Sequence, residues 1–213
     1  MFRWRCILCL ENTLGKGEIL ENNFNYNKSY SLVKIKKFIK RSKIQTLVDD
    51  NTEYKRVKIK LYNKGVSIRD KVFGKDIGTK KQFIIKEGQF LLSKIDARNG
   101  AFGIATKEID GAIITADFFA YDIDETIINP YFLSLITTTD EFLNFAKNSS
   151  TGTTNRQRLN EELFLNVEIP LPSIDEQNDL VQPLLDNLEK QEIENIKLTQ
   201  ALKDFEKEVF HEA

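Results

Sequence analysis

The segment FLLSKIDARNGAFGIA, Phe90 to Ala105, places charged and amide side chains directly after an apolar run that is typical of a buried strand. Lys94, Asp96 and Arg98 alternate, so on an extended strand their side chains would share one face. A metal-dependent nuclease needs two carboxylates beside a lysine at such a place, and this face supplies only one. This segment could therefore hold a ligand instead of performing catalysis.

The remaining sequence contains no catalytic motif. It has neither a G-x-x-x-x-G-K-[ST] phosphate loop nor a G-x-G-x-x-G motif, and its single histidine, His211, argues against a Ser-His-Asp or Cys-His arrangement. The sequence INPY, Ile128 to Tyr131, is similar to the NPPY-type motif of adenine methyltransferases but lacks the second proline, and a helix start explains it. Cys6 and Cys9 would need two further ligands to bind zinc. We therefore expect no catalytic residue, no metal site and no cofactor bound by this chain.

The charge is unevenly distributed along the chain, although the net charge is only −1. Between Lys28 and Lys81 there are 17 lysine and arginine residues against 5 acidic residues, whereas Ser173 to Ala213 contains 4 against 11. A basic region suits nucleic acid, and an acidic region suits protein contacts because phosphates would repel it. Lysines that solvate exposed strand faces would give the same basic region, so charge alone leaves the partner open.

Short strand-like segments dominate the chain from Tyr30 onward. SLVKIKKFI, YKRVKIKLY, QFIIKEG, GQFLLSKI and GAIITADFFAYDI show alternating or β-branched patterns separated by turn residues. PYFLSLITTTDEFLNFAKNS is predicted to be a helix that starts at Pro130, and LFLNVEIPLP is predicted to be a further strand. The pattern predicts an α+β fold with a mixed, irregular β-sheet and packed helices, and it contains no apolar run long enough to cross a membrane.

The C-terminal segment is predicted to be one long coiled-coil-type helix that begins with a capping box, Ser173 to Glu176, and is kinked by Pro183. A heptad seam with a polar interruption runs along it, formed by Val181, Leu184, Leu188, Gln191, Asn195, Leu198, Leu202, Phe205 and Val209. Such a seam needs a partner helix. Alternatively, the segment is an ordinary amphipathic helix that lies on its own domain, which Ile193 and Ile196 would suit because they fall off the seam.

These segments resemble the specificity subunits of type I restriction-modification systems. The resemblance runs from GQFLLSKIDARNGAFGIA through GAIITADFFAYDI, NPYFLSLI and SSTGTTNRQRL to VEIPLPSIDEQ, in which IPLPSIDEQ is the most specific part. It implies a DNA target-recognition domain over residues 30–172 and a spacer or dimerisation helix over residues 173–213, and it leaves residues 1–29 as a leader without an assigned role. A full subunit of that family has two such domains and two spacer helices that pair antiparallel, whereas this chain has room for one of each.

The resemblance implies a half-subunit whose copies pair through their helices into a homodimer that reads an inverted-repeat DNA site. A fragment of a longer subunit would have the same sequence. Members of the family are not catalytic: they bind double-stranded DNA and DNA adenine methyltransferase subunits, which carry S-adenosylmethionine, and a restriction motor-nuclease subunit joins for cleavage. A cytoplasmic protein is expected independently of the resemblance, because the sequence has no apolar run suited to a membrane span or a secretory signal. Rival interpretations are a specificity module of a two-part type II-like system, a coiled-coil interaction module without DNA binding, and a small nuclease or methyltransferase with degenerate motifs.

The resemblance also indicates which residues contact DNA. The best candidate loop combines hydroxyl and amide side chains with two arginines: Ser149, Thr151, Thr153, Thr154, Asn155, Arg156, Gln157 and Arg158. A second group flanks glycine turns in the basic region: Tyr62, Asn63, Lys64, Arg69, Lys80 and Lys81. In the opening segment, Lys94 and Arg98 would neutralise phosphates, Asn99 would face a base edge, and Asp96 would orient Arg98 or cap the loop. The alternatives are a flexible polar surface loop for the first group and, for the third, a turn that Asp96 and Asn99 hold with Gly100 at positive φ.

Overall fold

In the computed structural model, which describes residues 26–152 and 157–210, short strands form a four-stranded sheet, a five-stranded sheet and two further strand pairs. The strands are β1 (Ser31–Lys34), β2 (Ile39–Ser42), β3 (Gln45–Leu47), β4 (Glu53–Ile59), β5 (Val66–Phe73), β6 (Lys81–Ile84), β7 (Phe90–Ser93), β8 (Phe102–Ile104), β9 (Ile113–Ile114), β10 (Phe118–Ile123), β11 (Ser150–Thr151), β12 (Arg158–Leu159) and β13 (Glu168–Leu171). The helices are α1 (Pro130–Ile136), α2 (Asp140–Asn148), α3 (Glu161–Asn166) and α4 (Ile174–Phe210). This arrangement confirms the predicted α+β class. Cys6, Cys9 and His211 lie outside the described residues.

The four-stranded sheet, in the order β2-β10-β7-β8, is antiparallel throughout. Strand β7 is buried along its whole length, which explains its continuous apolar sequence. Phe90 packs in one apolar cluster, where its ring stacks on Phe164 of α3 with 6.2 Å between the centroids, whereas Leu91 packs in a second cluster with Val57 of β4. Because β7 packs in both apolar clusters, the polar segment that begins at Lys94 starts from a strand end that is held firmly in place.

The five-stranded sheet, in the order β3-β6-β9-β4-β5, is mixed because β4 and β9 are parallel and its other neighbours are antiparallel. Strands β4 and β5 form its longest hairpin, in which Glu53 pairs with Phe73 at one end and Ile59 with Val66 at the other. Seven strand residues span about 20 Å. The turn at residues 60–65 therefore lies far from the opposite end of the hairpin.

The predicted helix from Pro130 onward is two helices, α1 and α2. The threonine run between them ends the first helix, because the hydroxyl of Thr137 donates to the carbonyl oxygen of Ser134 and that of Thr139 donates to the carbonyl oxygen of Ile136. Thr139 then caps α2, with its Oγ1 accepting from the amide of Phe142 at 3.3 Å. Apolar spacing alone did not reveal this change from one helix to the next.

The segment LFLNVEIPLP, predicted as one strand, is also divided. Its first four residues belong to α3, which Asn160 caps by accepting hydrogen bonds from the amides of Glu162 and Leu163. Only Glu168–Leu171 forms a strand, β13, which pairs antiparallel with β1. The pairing holds β1 beside the residues that lead into α4.

Helix α4 spans 37 residues, about 55 Å, and continues through Pro183. Its first turns pack on the domain. Val181 is fully buried in the apolar cluster that contains Phe90 and Phe164, and Leu185 packs against the same cluster. Val181 is therefore unavailable to a partner helix, which corrects its assignment to the dimerisation seam. The side chains of Leu188 and Gln191 lie outside the description, and Asn195 is exposed.

Beyond the first turns, apolar side chains of α4 are exposed. They are Leu184, Ile193, Ile196, Leu198, Leu202, Phe205 and Val209. The exposed set includes Ile193 and Ile196, which the 3.6-residue helical repeat places on the side of α4 opposite the predicted seam. A helix that lay along its own domain would bury these residues, and this helix does so only near its start. The interpretation of α4 as an amphipathic helix on its own domain therefore holds for its first turns alone.

The predicted capping box is present and should make the stability of α4 depend on pH. Ser173 N–H and Oγ donate to Glu176 Oε2 at 3.0 and 2.8 Å, and these hydrogen bonds hold the pKa of Glu176 below its usual range. Because the pKa of Glu176 is lower in the folded than in the unfolded chain, its ionised form stabilises the fold at pH values above the unfolded pKa of about 4.3. This stabilisation is lost as the pH falls through the folded pKa. We expect Ser173→Ala to cost about 1 kcal/mol in the free energy of unfolding at pH 7 and less at pH 3, measured by urea unfolding. Thr199→Ala, which removes an exposed hydroxyl that donates only to the backbone carbonyl oxygen of Asn195, should show no such pH dependence. An equal Ser173→Ala loss at both pH values would contradict the assignment.

Candidate nucleic-acid interface

Three segments that are far apart in the sequence meet beside the end of β7. They are residues 60–65 between β4 and β5, residues 94–100 after β7, and the β11–β12 pair with residues 150–152 and 157–159. The first and third segments are both hydrogen-bonded to residues 94–100. Tyr62 N–H donates to the carbonyl oxygen of Asn99, and Leu159 N–H donates to the carbonyl oxygen of Lys94. We refer to these residues as the turn cluster. It brings together members of all three candidate groups.

The β4–β5 turn is held tightly against the segment after β7. The amides of Tyr62 and Asn63 donate to the carbonyl oxygens of Asn99 and Gly100, each at 2.8 Å. Both turn residues have a left-handed backbone, with φ of 59° and 55°. This conformation costs a non-glycine residue about 1 kcal/mol, so the turn depends on its docking. Lys64 follows in the same turn and is exposed.

Two glycines of RNGAFG permit this close approach. A Cβ atom on Gly100 would lie 3.0 Å from Asn63 Nδ2, and one on Gly103 would lie 2.8 Å from Val66 Cγ2. Gly100 also has a φ of 72°, as the turn interpretation of this segment predicts. The glycines therefore serve the packing between two turns as well as the shape of one of them.

Asp96 stabilises its own turn. Its amide donates to Ser93 Oγ at 3.3 Å, and its carbonyl oxygen accepts from the amides of Asn99 and Ala101. The hydrogen bond that orients Arg98 comes instead from Gln157, whose Oε1 accepts from Arg98 Nη1 at 3.0 Å. The backbone of Asp96 thus holds the turn, its side chain makes no capping hydrogen bond there among the described residues, and Arg98 joins the turn to the β11–β12 pair.

The β11–β12 pair presents part of the predicted recognition loop. Thr151 lies opposite Arg158, and both are exposed. Arg158 donates to Asp117 Oδ1 at 2.9 Å. Ser149 is fully buried at the end of α2, which corrects its assignment as a DNA contact because its hydroxyl is not accessible in this conformation. The predicted contacts Thr153, Thr154, Asn155 and Arg156 lie outside the described residues.

Arg41 of β2 belongs to this region, although the sequence analysis did not single it out. Its guanidinium lies 3.6 Å from the centroid of the Phe119 ring, and the Lys94 ammonium lies 4.4 Å from the same centroid. Arg41 Nη1 also donates to Glu161 Oε1 at 2.9 Å, and that oxygen accepts from the Tyr121 hydroxyl at 3.0 Å. Arg41 and Lys94 thus both lie against one aromatic ring of the four-stranded sheet.

Burial and charge together perturb two groups here. Burial, followed by the positive charge of Arg41, lowers the pKa of the Lys94 ammonium, and nearby Asp117 and Glu161 act in the opposite direction. Burial, and next the negative charge of Glu161, raises the pKa of the Tyr121 phenol, so this phenol stays protonated and donates to the carboxylate. A bound anion would lessen the repulsion between Lys94 and Arg41.

Other predicted contacts lie apart from the turn cluster. Lys80 Nζ forms an ion pair with Asp50 at 2.6 Å and donates to the carbonyl oxygen of Gly74 at 2.7 Å. Gly74 follows the end of the β4–β5 hairpin that is opposite the turn. Lys80 and its neighbour Lys81 therefore belong to a different part of the surface. Arg69 lies in the middle of β5, between the two ends.

The described ranges contain no group of three or more His, Cys, Asp or Glu side chains that could hold a metal ion. Within the same ranges, no helix is both long and apolar enough to span a membrane. What the turn cluster offers is guanidinium, ammonium, amide and hydroxyl groups, which are the donors that bind phosphates and base edges.

A family model described as the type I restriction modification DNA specificity domain matches residues 27–204. The chain belongs to this family. The match confirms the resemblance seen in the sequence, and it extends from the turn before β1 through most of α4. A comparison of this specificity-domain protein with curated proteins found no match.

Solved structures share the fold of this specificity-domain protein. The HsdS subunit from Thermoanaerobacter tengcongensis has a TM-score of 0.60 and 17% identity, over 88% of this chain and 49% of that one. A structure that describes complex assembly and conformational transition of the type I R-M system gives 0.58 and 18%, over 84% and 47%. The type I restriction-modification S subunit from M. genitalium gives 0.53 and 14%, over 88% and 46%. The chain thus spans about half the length of the proteins it matches.

Proposed function

We propose that this protein is a non-catalytic subunit that reads a DNA half-site for a type I restriction-modification system. The observation that carries the proposal is the turn cluster, in which Arg98, Gln157 and Arg158 converge from two segments. Guanidinium and amide groups make paired hydrogen bonds to guanine and adenine edges in the major groove, and the same groups bind phosphates. The convergence of such groups on turns supported by a buried strand is what sequence-specific contact requires.

The charge around the turn cluster supports a polyanionic partner. Lys64 and Lys94 add positive charge within it, and Arg41, which is paired with Glu161, lies beside it. Lys94 has no carboxylate partner within ion-pair distance among the described residues. Each cation that neutralises a phosphate makes the affinity more sensitive to salt. We expect DNA binding to weaken steeply between low and physiological ionic strength.

Helix α4 supports an assembly role for the other half of the molecule. Its exposed seam residues Leu198, Leu202 and Val209 would be covered by α4 of a second copy, and the resulting two-fold dimer would carry a recognition domain at each end. The helix pair would then set the gap between two half-sites. DNA adenine methyltransferase subunits, which bring S-adenosylmethionine, would dock on this dimer, and a motor-nuclease subunit would join them for cleavage.

Selection from a pool of random DNA duplexes tests the DNA-reading role. The wild-type chain should enrich a defined sequence, and Arg98→Met should bind the enriched duplex about tenfold more weakly and lose preference at one position, because one fork of hydrogen bonds is removed. Arg69→Met is a matched control, since it removes the same group from the middle of β5, outside the turn cluster. Its effect should be small and equal for all sequences.

Two results would overturn the proposal. A wild-type chain without salt-sensitive affinity for any duplex would favour an interaction module that does not bind DNA. Metal- or cofactor-dependent turnover of DNA by the purified chain would instead favour an enzyme.

A further inference from the structure

Tyr62 is an exposed aromatic residue on a turn that is otherwise fixed. The residue is 73% exposed, the largest exposed fraction among the apolar and aromatic residues in and around the turn cluster. Its backbone is nevertheless held in a left-handed conformation, with φ of 59°, that a tyrosine adopts rarely. Folding alone does not explain why a tyrosine on a fixed backbone leaves its large ring in solvent, because burial of the ring would contribute stability.

The conformation of Tyr62 depends on the turn opposite. Its amide is bonded to the carbonyl oxygen of Asn99, and that of Asn63 is bonded to the carbonyl oxygen of Gly100. The Asn63 side chain packs onto Gly100, where its Oδ1 is buried and has no hydrogen-bond partner among the described residues. An unpaired buried oxygen costs free energy. The contact between Asn63 and Gly100 is therefore kept at the expense of a hydrogen bond to this oxygen.

The surroundings of Tyr62 indicate what its ring would contact. Lys60 and Lys64 lie on either side of it in the same turn, and both are exposed. Arg98 lies next to the residue that accepts the Tyr62 hydrogen bond. A ring with cations around it fits duplex DNA, in which phosphates border a groove that exposes the apolar edges and methyl groups of bases. A tyrosine also has few rotatable bonds, so fixing it on a partner costs little conformational entropy.

We propose that Tyr62 is a specificity-determining residue whose ring contacts a base of the half-site, and that Asn63 and Gly100 position it. The inference rests on the proposed DNA-reading function and adds an apolar contact to the polar ones described above. The ring would discriminate at one position through its shape and apolar character, whereas Lys60 and Lys64 would bind phosphates at any sequence.

The test compares duplex selection by the wild type, Tyr62→Ala, Tyr62→Phe and Lys64→Gln. Tyr62→Ala should lose preference at one position of the enriched sequence and bind the wild-type duplex about tenfold more weakly. Tyr62→Phe, which keeps the ring, should retain that preference. Lys64→Gln should weaken binding to all duplexes equally and lower the salt dependence without changing the enriched sequence.

A pair of glycine variants tests the positioning role. Gly100→Ala and Gly88→Ala both place a side chain on a left-handed backbone, with φ of 72° and 80°, but only the new Cβ at Gly100 would meet Asn63. Gly100→Ala should therefore relax the same position as Tyr62→Ala, while Gly88→Ala should keep the wild-type preference. Circular dichroism and thermal unfolding verify that each variant is folded.

The outcomes separate the two proposals. A wild type that enriches no sequence overturns the DNA-reading function, and the role of Tyr62 with it. A wild type that enriches a sequence which Tyr62→Ala also enriches, with equal affinity, overturns the role of Tyr62 alone. Equal losses in Tyr62→Phe and Tyr62→Ala would assign the contact to the hydroxyl and would likewise overturn the role of the ring.

Discussion

If the wild type pairs through α4 as proposed, a chain with Leu198→Glu and Leu202→Glu is expected to be monomeric at concentrations where the wild type is a dimer. Both leucines are more than half exposed on α4, and in a paired dimer each copy would bury both of them. Burial of a leucine contributes about 1.5–3 kcal/mol, and four glutamates in one seam would also repel each other. The dissociation constant should therefore rise by at least about a thousandfold. Light scattering over a range of protein concentrations measures the change.

A control with the same charge change separates the seam from general electrostatics. Gln200→Glu with Lys207→Gln also changes the net charge by −2, by adding one negative charge and removing one positive charge, but these positions lie on the side of the helix opposite the two leucines. This variant should remain dimeric. If the wild type itself is monomeric, the seam is covered by another chain, such as a missing second half or a methyltransferase, and the expectation of an inverted-repeat site is wrong.

The sequence predicted best those features that depend on neighbouring residues. The capping box at Ser173 and Glu176 is present, β7 is a buried strand, and Gly100 has positive φ. Each of these follows from local chemistry: a hydroxyl three residues before a carboxylate, a continuous apolar run, and a glycine after polar turn residues. Periodicity was less successful where a polar residue ends one element and begins another, as Thr139 does between α1 and α2.

The composition of the turn cluster could be predicted only in part. Tyr62 and Asn99 were both candidate contacts, but nothing in the sequence indicates that they are hydrogen-bonded to each other, because this contact depends on how two sheets pack. Arg41 was missed because it lies in a run of lysines, where one more cation carries no signal. Lys80 was predicted to contact DNA because it is a basic residue beside a glycine turn. The sequence gives no sign that it forms an ion pair with Asp50 instead.

The seam of α4 shows a further limit of pattern reading. A heptad pattern cannot distinguish an apolar residue that faces its own domain from one that faces a partner, because both are buried in the same way on one side of a helix. Val181 packs in the domain core and Leu198 is exposed, although they occupy the same seam. The division depends on where the domain surface ends, which is a property of the whole fold.

Replacing Gln177 by alanine is expected to destabilise the protein by about 3 kcal/mol. Gln177 is fully buried at the start of α4, where its Nε2 donates to the carbonyl oxygens of Ile127 and Pro172 and its Oε1 accepts from the amide of Asn129. Alanine would leave three backbone groups without partners in a closed site, and each such group costs about 1–3 kcal/mol when water cannot replace the bond. Urea unfolding with an unchanged m-value would measure the loss.

Asn178→Ala is the matched control for this prediction. Asn178 is the next residue and also accepts a hydrogen bond from Asn129, but it is exposed, so water can replace its amide and the loss should stay below about 0.5 kcal/mol. Gln177 joins α4 to the turn before α1 and to the residue that precedes the capping box, so the direction in which the long helix leaves the domain depends on it. Because that direction would set the gap between half-sites in a dimer, Gln177→Ala should also broaden the range of spacings accepted in duplexes with two half-sites. A stability loss equal to that of Asn178→Ala would show that the buried amide does not anchor the helix.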